Sequence, residues 1–207
     1  MAKSYDEKRK LILETASDLF TKKGFDSVSV MDICNACHIT KPTFYKYVVS
    51  KESILSDIFN QGEKIVLPNL RELRSQGKLL SAFWTGMTGT LAVAENISYD
   101  LLKCYITTLL KQSSDSDRFN SSLQSEMESL IEELQEKHLI SNMSDPKDIY
   151  KLAVYLNRGM MMMWAFNGAA FDLSDSFRQS MVPILGIQDG RDLILRQDSA
   201  ETAAAAS

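Results

Sequence analysis

Residues 40–51 bring hydroxyl groups, cations and aromatic rings together in one short segment. Cations and hydroxyls at the start of a helix can contact base edges in the major groove of DNA, and tyrosine and lysine can also bind phosphate oxygens. The residues with which we expect the chain to contact DNA are Ser29, Thr40, Lys41, Thr43, Phe44, Tyr45, Lys46, Tyr47 and Lys51.

Within this set, two roles can be separated by chemistry. We expect Tyr45 and Lys51 to bind phosphate oxygens, whereas Lys41, Thr43 and Lys46 would select base pairs. The alternative interpretation is an ordinary amphipathic pair of helices with a solvated basic face.

The elements that must position these side chains are two short helices separated by a tight turn. Ser29 and Asp32 form a capping-box-like start for the first helix. Thr40 can cap the second helix, with Pro42 in its first turn, where a missing N–H costs little. The pattern predicts a helix-turn-helix motif.

A longer helix, predicted over about residues 6–23, precedes the motif and ends at Gly24. One face of this helix is apolar and would form the core of a small domain. The apolar residues are Leu11, Ile12, Ala16, Leu19 and Phe20, and the N-terminal flank carries Lys3, Lys8, Arg9 and Lys10.

Residues 11–55, roughly a quarter of the chain, resemble the N-terminal domain of the TetR family of transcriptional repressors. Many positions agree with the family at fixed spacing, which makes the resemblance specific. The matching residues are Ala16, Leu19, Phe20, Gly24, Phe25, Ser29, Ile33, Ile39, Thr40, Lys41, Thr43, Phe44, Tyr45, Tyr47, Lys51, Glu52 and Leu55.

The resemblance implies an all-α fold of about nine helices. It consists of a three-helix DNA-binding domain joined by a long helix to a larger C-terminal bundle, and it dimerises through the last two long helices. The domains expected are residues 5–66 for DNA binding and residues 67–187 for ligand binding and dimerisation. Residues 188–207 would form a mobile tail.

Two residues depart from the family pattern. His38 occupies the turn position where glycine is usual, so we expect a positive φ there. Val48 replaces the usual aromatic ring and leaves less volume beneath the second motif helix.

The net charge of −4 is unevenly distributed along the chain. Residues 1–51 contain 9 Lys and Arg against 6 Asp and Glu, whereas the remainder contains 14 against 21. The N-terminal part therefore suits DNA, and the acidic body would limit non-specific binding.

We expect a cytoplasmic protein. The chain shows no signal-peptide pattern, and its longest apolar stretch, residues 152–166, is too short for a membrane span. Its three cysteines suggest no disulfide framework. Cys34 and Cys37 form a C-x-x-C pair, which leaves a redox or metal role open, although both lie where small apolar residues are wanted.

Beyond Lys51 the pattern is helical throughout. A long helix is predicted from Lys51 to about Arg74, with Pro68 ending or kinking it partway. The further helices predicted are Leu79–Glu95, Ser98–Gln112, Asp117–His138, Asp145–Gly168 and Ser174–Leu185.

The second half of the predicted helix from Asp145 has no polar face, because it contains the run Gly159 to Phe166 with four successive methionines. A helix that is apolar all round must be covered on more than one side. One side can pack in the domain, and the other can meet a second subunit. A two-fold dimer is also what a helix-turn-helix reader of a palindrome needs.

Thioethers and rings could line a deformable pocket in the C-terminal bundle, although core filling is the plainer role for any one methionine. Arg158 would either pair with an acidic residue such as Glu95 or bind an anionic group of a ligand. The predicted pocket residues are Phe83, Trp84, Met87, Leu91, Tyr99, Tyr105, Met127, Tyr155, Arg158, Met162 and Trp164.

The resulting hypothesis is a regulator that is released from a palindromic operator in double-stranded DNA when an apolar or amphipathic small molecule binds. The alternative is a TetR-like coactivator or partner-binding factor without its own operator. An enzyme is not predicted, because the chain has only His38 and His138 as histidines and lacks recognisable nucleophile or phosphate-loop motifs. No cofactor or metal site is predicted.

Overall fold

The computed structural model describes residues 4–97, 99–111 and 121–187. Within these residues the chain forms nine α-helices and no strand, which confirms the predicted all-α class. The helices are α1 Tyr5–Lys23, α2 Val30–Ala36, α3 Lys41–Tyr47, α4 Lys51–Ser75, α5 Leu79–Asn96, α6 Tyr99–Lys111, α7 Ser121–Glu136, α8 Pro146–Phe166 and α9 Leu173–Leu185.

Local signals in the sequence predicted most helix ends well. Asp145 caps α8 by accepting a hydrogen bond from the N–H of Lys147, and Pro146 takes the first helical position. The predicted start at Asp117 and the predicted mobile tail, residues 188–207, lie outside the described residues.

Pro68 does not end α4, which continues through it to Ser75. An interior proline removes one helical hydrogen bond and crowds the preceding turn. Val66 and Leu70, two residues to either side, are buried in the core below the helix. Packing along this face therefore outweighs the local cost of the proline.

A first cluster of buried side chains joins the N-terminal helices. Ile12, Ala16 and Phe20 of α1 pack with Phe44 of α3 and with residues at the start of α4. Leu101 of α6 is also part of this cluster. The C-terminal helices therefore contact the motif through α6 as well as through α4.

The second and larger cluster is built around α5, which packs against α4, α7, α8 and α9. Glycines in α5 allow the close packing of α5 against α4 and against α7. A Cβ on Gly89 would collide with the side chain of Val66, and a Cβ on Gly86 would collide with the end of the Met127 side chain. The backbone of α5 is thus in direct contact with residues of α4 and α7.

Ion pairs fix α4 to its neighbours near both ends. Near its start, Arg9 of α1 contacts the carboxylate of Asp57 at 2.7 Å. Near its end, the Arg74 guanidinium contacts the carboxylates of Glu126 at 3.1 Å and Glu133 at 2.9 Å, both on α7. These contacts connect α4 to both halves of the molecule.

Helix α8 is buried along one face only. Ile149, Ala153 and Asn157 lie in the second core, whereas Tyr155 and Phe166 are exposed. Among the described helices, none has the length and apolar character needed to cross a membrane.

The N-terminus of α2 has the predicted capping box. The Ser29 hydroxyl accepts a hydrogen bond from the Asp32 N–H at 3.2 Å, and the Asp32 carboxylate accepts from the Ser29 N–H at 2.8 Å. Hydrogen bonds from Ser29 lower the pKa of Asp32 below its ordinary value. The folded state therefore favours the charged carboxylate.

This pKa shift makes the stability contribution of Asp32 dependent on pH. Because the folded pKa is depressed, the contribution is present above the unfolded pKa and is lost as pH falls through the folded pKa. We expect Asp32→Asn to lower the urea midpoint at pH 7, with the gap from wild type narrowing below pH about 4. Urea unfolding followed by circular dichroism across this range measures the gap.

A Ser29→Ala background provides the control. If the carboxylate stabilises α2 through Ser29, Asp32→Asn must have a smaller effect in that background. A gap that stayed constant down to pH about 2 would contradict the proposed role of the charge.

Candidate DNA-binding surface and core pocket

Helix α3 presents cations and hydroxyls on its outer side. Lys41, Tyr45 and Lys46 are exposed, Tyr45 to 53%, and Thr43 is half-buried. The Thr40 hydroxyl caps the helix by accepting from the Thr43 N–H at 3.4 Å, and the two hydroxyl oxygens are 2.9 Å apart. The outer side can therefore supply both charged and neutral hydrogen-bonding groups.

The inner side of α3 anchors the helix. Phe44 is fully buried, and Tyr47 is only 9% exposed. The Tyr5 ring lies 4.8 Å from the Tyr47 ring between centroids, and the Tyr5 hydroxyl donates to the carbonyl oxygen of Lys46 at 3.3 Å. That carbonyl lies in the last turn, where no intrahelical partner exists. These contacts hold α3 in a fixed orientation.

The burial of Phe44 and Tyr47 changes their predicted role. The sequence places both side chains in the DNA-contacting set because they share one short segment with cations and hydroxyls. Residues three apart on a helix share a face. In the structure this face of α3 packs into the first cluster together with residues of α1. Phe44 and Tyr47 therefore support the surface from beneath.

The turn between α2 and α3 has the predicted backbone conformation. His38 has a φ of 54°, as expected for a position where glycine is usual. The N–H of Ile39 donates to the Cys34 carbonyl at 2.9 Å, which closes the end of α2. Val48, the second departure from the family pattern, is buried below α3.

Lys51 is engaged inside the domain. Its ammonium donates to the carbonyl oxygens of Phe25 at 2.9 Å and Val28 at 3.0 Å, and it lies 4.1 Å from the centroid of the Phe25 ring. These contacts tie the start of α4 to the loop after α1. The sequence did not indicate this role, and a phosphate contact by Lys51 stays a prediction.

Ser29 is exposed, but its N–H and hydroxyl both bond to the Asp32 carboxylate. Its principal role in the structure is therefore to cap α2. Contacts of Ser29, Thr40 and the exposed α3 residues with DNA stay predictions.

Several residues near this surface were not in the predicted set. Pro42 lies exposed on α3, and Val49 is 85% exposed immediately after it. Tyr5 supports α3 although it is more than thirty positions away in sequence. The exposed Val49 is visible in the sequence as an apolar residue between helices, but no local signal identifies Tyr5.

The cysteine pair does not suit a redox or metal role. Cys34 is buried in the first core, and this burial raises the pKa of its thiol above the ordinary value. Disulfide exchange and metal binding both require the thiolate. Cys34 therefore serves as a small apolar core residue.

The residues predicted to line a ligand pocket separate into an inner and an outer group. The inner group is buried in the second core and consists of Phe83, Trp84, Met87, Leu91, Met127 and Trp164. Tyr105 is partly buried at its edge and stacks on Phe59, with ring centroids 4.0 Å apart. The outer group is exposed and consists of Tyr99, Tyr155, Arg158 and Met162.

The sequence does not indicate the exposure of these four residues, and their lining of a pocket stays a prediction. An all-apolar helix such as the second half of α8 gives no periodic signal for which side faces inward. Glu95, considered as a partner for Arg158, accepts hydrogen bonds from the N–H groups of Leu173 and Ser174 and so caps α9.

Two open cavities lie elsewhere in the described chain. One of about 440 Å³ lies between α4 and α7, and one of about 360 Å³ lies between the loop after α1 and helix α6. Neither includes a residue of the predicted pocket.

Residues 12–58 match the family model described as bacterial regulatory proteins of the TetR family. The matched residues include all of α2 and α3, most of α1 and the first turns of α4. The match thus covers the motif and the helices that hold it.

Curated relatives align over the same part of the chain. The transcriptional regulator YuxN of Bacillus subtilis is 39% identical over 71 residues, which are 34% of this chain and 24% of YuxN. UidR of Escherichia coli is 36% identical over 64 residues, which are 31% of this chain and 33% of UidR. The alignments span only a quarter to a third of the length of these relatives. Both are named as HTH-type transcriptional regulators.

The likeness in fold extends over most of the chain. The crystal structure of Thermus thermophilus FadR, described as a TetR-family transcriptional repressor in complex with lauroyl-CoA, aligns with a TM-score of 0.65. The alignment covers 87% of this chain and 95% of FadR at 20% identity, which shows a common fold. The TetR-type motif at residues 12–58 therefore lies within a fold that this chain shares with FadR.

Proposed function

We propose that this protein is a sequence-specific transcriptional repressor that binds a palindromic operator as a homodimer. The observation that supports it most directly is the outer side of α3, where Lys41, Tyr45 and Lys46 are exposed on a helix whose inner side is fully buried. A helix held in place by its buried side can enter a major groove with its exposed lysine side chains, because those side chains are not needed to hold it.

An exposed apolar stripe on α8 supports the dimer. Its residues are spaced alternately by three and four positions, which is the spacing of a helix–helix seam. They are Leu152, Tyr155, Gly159, Met162 and Phe166. A Cβ on Gly159 would meet nothing within 4 Å, so a second helix could approach closely there. A two-fold dimer would place two α3 helices about 34 Å apart, one per half-site.

The charge distribution suits this mode of binding. Residues 1–51 have an excess of Lys and Arg over Asp and Glu, and the rest of the chain has the reverse. Attraction to phosphates would therefore be limited to the N-terminal domain, residues 5–66. The C-terminal domain, residues 67–187, would hold the dimer and the effector site.

Release of the operator by a small molecule is the second part of the proposal. The inner group of core residues contains Met87 and Met127, whose flexible thioethers can repack around an apolar guest. FadR, which shares the fold, binds lauroyl-CoA. A guest that moved α7 would move α4 through the Arg74 ion pairs and so change the spacing of the two α3 helices.

Operator binding is tested by selecting bound sites from fragmented genomic DNA and measuring affinity for the selected inverted repeat and for random duplex. We expect Lys41→Ala to weaken operator binding by about 1–3 kcal/mol and to relax base preference at one position of each half-site. We expect Tyr45→Phe, which removes only a hydroxyl, to weaken both duplexes equally, by about 0.5–1.5 kcal/mol.

Lys147→Ala, at an exposed lysine in the first turn of α8, is the matched control and should change neither affinity. Equal losses on operator and random DNA for Lys41→Ala would contradict base selection. Selection that enriched no inverted repeat would contradict operator recognition itself and favour a partner-binding factor.

The dimer is tested by placing a charge in the α8 stripe. We expect Tyr155→Glu to weaken self-association by on the order of 100-fold, because the carboxylate would be desolvated in an apolar interface. Tyr155 is 55% exposed in a single chain, so the monomer should remain folded. Sedimentation velocity, with circular dichroism for folding, measures both quantities.

Met143→Glu is the matched control, since Met143 is 65% exposed between α7 and α8 and lies off the stripe. It should leave self-association unchanged. A Tyr155→Glu protein that stayed dimeric and bound operator normally would refute the interface.

Effector release is tested by titrating lauroyl-CoA and other amphipathic compounds against the operator complex. A true effector should raise the apparent Kd for operator at least about tenfold and should stabilise the free protein, by about 2.7 kcal/mol at 100 times its own Kd. Thermal unfolding and fluorescence anisotropy of labelled operator measure the two effects. CoA without the acyl chain is the control. If every compound that stabilises the protein left its affinity for operator unchanged, the proposed release of operator by an effector would be contradicted.

A further inference from the structure

The indole N–H of Trp84 lies in the middle of the second core without a protein acceptor. Trp84 is 2% exposed, and its Nε1 atom has no hydrogen-bond partner among the described residues. Buried N–H groups in folded proteins are nearly always paired, because desolvating a donor without replacing its bond with water costs free energy. An unpaired donor here therefore needs an explanation.

The other tryptophan shows the usual arrangement. Trp164 is 6% exposed, and its Nε1–H donates to the carbonyl oxygen of Phe171 at 2.8 Å. The chain contains no further tryptophan. The two indoles thus form a natural comparison, with one donor satisfied by the fold and one not.

Polar groups near Trp84 do not satisfy it. The Thr88 hydroxyl donates to the backbone carbonyl of Trp84 at 2.8 Å, and the Asn157 amide donates to the carbonyl of Met87 at 2.8 Å. Both side chains are buried polar groups in an otherwise apolar cluster. The Thr88 and Asn157 side chains thus each have a backbone acceptor, whereas the indole N–H of Trp84 has none among the described residues.

An adjustable side chain and an aromatic ring lie beside the indole. Met87 follows Trp84 by one turn of α5 and shares its face of the helix. The Phe83 ring meets the indole edge to face, with centroids 5.2 Å apart. Withdrawal of the Met87 thioether chain would open an apolar space in which an acceptor atom could reach the N–H.

We propose that the Trp84 N–H is the hydrogen-bond donor that orients the effector, and that the effector is a largely apolar molecule carrying one acceptor oxygen, such as a carbonyl. This inference rests on the proposed effector site and adds the chemical class that it accepts. A hydrocarbon of the same shape would leave the donor unpaired. A carbonyl compound would satisfy it, so the site discriminates between them.

The test uses two pairs of probes that match in shape and differ in a carbonyl oxygen: acetophenone with ethylbenzene, and benzophenone with diphenylmethane. Wild-type protein is titrated with each probe, and binding is measured by thermal stabilisation. We expect the ketone of a pair to bind about tenfold more tightly than its hydrocarbon.

Trp84→Phe keeps an aromatic ring and removes the donor. In this variant, with binding followed by thermal stabilisation, we expect the preference for the ketone to disappear while hydrocarbon affinity stays within a factor of about two. Met143→Glu, at an exposed position outside the second core, is the control and should keep the preference. Equal binding of both members to wild type, binding of neither, or a ketone preference that survives Trp84→Phe would each overturn the proposal.

Spectra of ¹⁵N-labelled wild type provide an independent measurement, with the two indole resonances assigned from the spectrum of Trp84→Phe. In free protein, the Trp84 indole proton should resonate upfield of the hydrogen-bonded Trp164 proton and should move downfield when a ketone is added. A Trp84 resonance already at a bonded position in free protein would show a satisfied donor and overturn the inference. Operator affinity is measured in parallel, so that ketone binding without operator release would count against the proposed repressor mechanism alone.

Discussion

The packing of Phe44 and Tyr47 beneath α3 is the contact on which the rest of the molecule depends. A helix of seven residues is far too short to be stable in water by itself, since isolated helices below about 12 residues are marginal. Its order therefore comes from the core that it shares with α1 and from the Tyr5 hydroxyl at its C-terminal end. This division lets every exposed side chain of α3 be chosen for an outside partner, because none is needed to hold the helix.

Helix α4 connects this supported surface to the C-terminal helices. Lys51 at its first position binds the loop after α1, Asp57 binds Arg9, and Arg74 in its last turn binds two carboxylates of α7. Ion pairs of this partly exposed kind contribute little stability individually. Their importance is geometric, because they attach the first half of α4 to α1 and its last turn to α7. The continuity of α4 through Pro68 places both attachments on one unbroken helix.

The sequence predicted those features of the fold that depend on a few neighbouring residues. They include the caps at Ser29, Thr40 and Asp145 and the positive φ at His38. It did not predict which polar groups the fold would use internally. Lys51 has the character of a phosphate ligand in sequence, yet its ammonium is bound by two carbonyls that come from a loop more than twenty residues away. The exposure of Tyr155 and Met162 could not be predicted for a related reason, since four successive methionines give no periodic signal for the side of α8 that faces inward.

The same limit explains why the two tryptophans could not be distinguished beforehand. Both stand in apolar helices and both are buried, so composition and periodicity treat them alike. Only the fold brings the Phe171 carbonyl to the Trp164 N–H and leaves the Trp84 N–H without a protein acceptor among the described residues. A satisfied donor stabilises one arrangement of the core, whereas an unsatisfied donor favours any arrangement that brings an acceptor to it. The second core is thus biased toward a different packing at Trp84, which lies on α5 two residues from Gly86, where the end of Met127 of α7 rests. Arg74 joins the same helix α7 to α4.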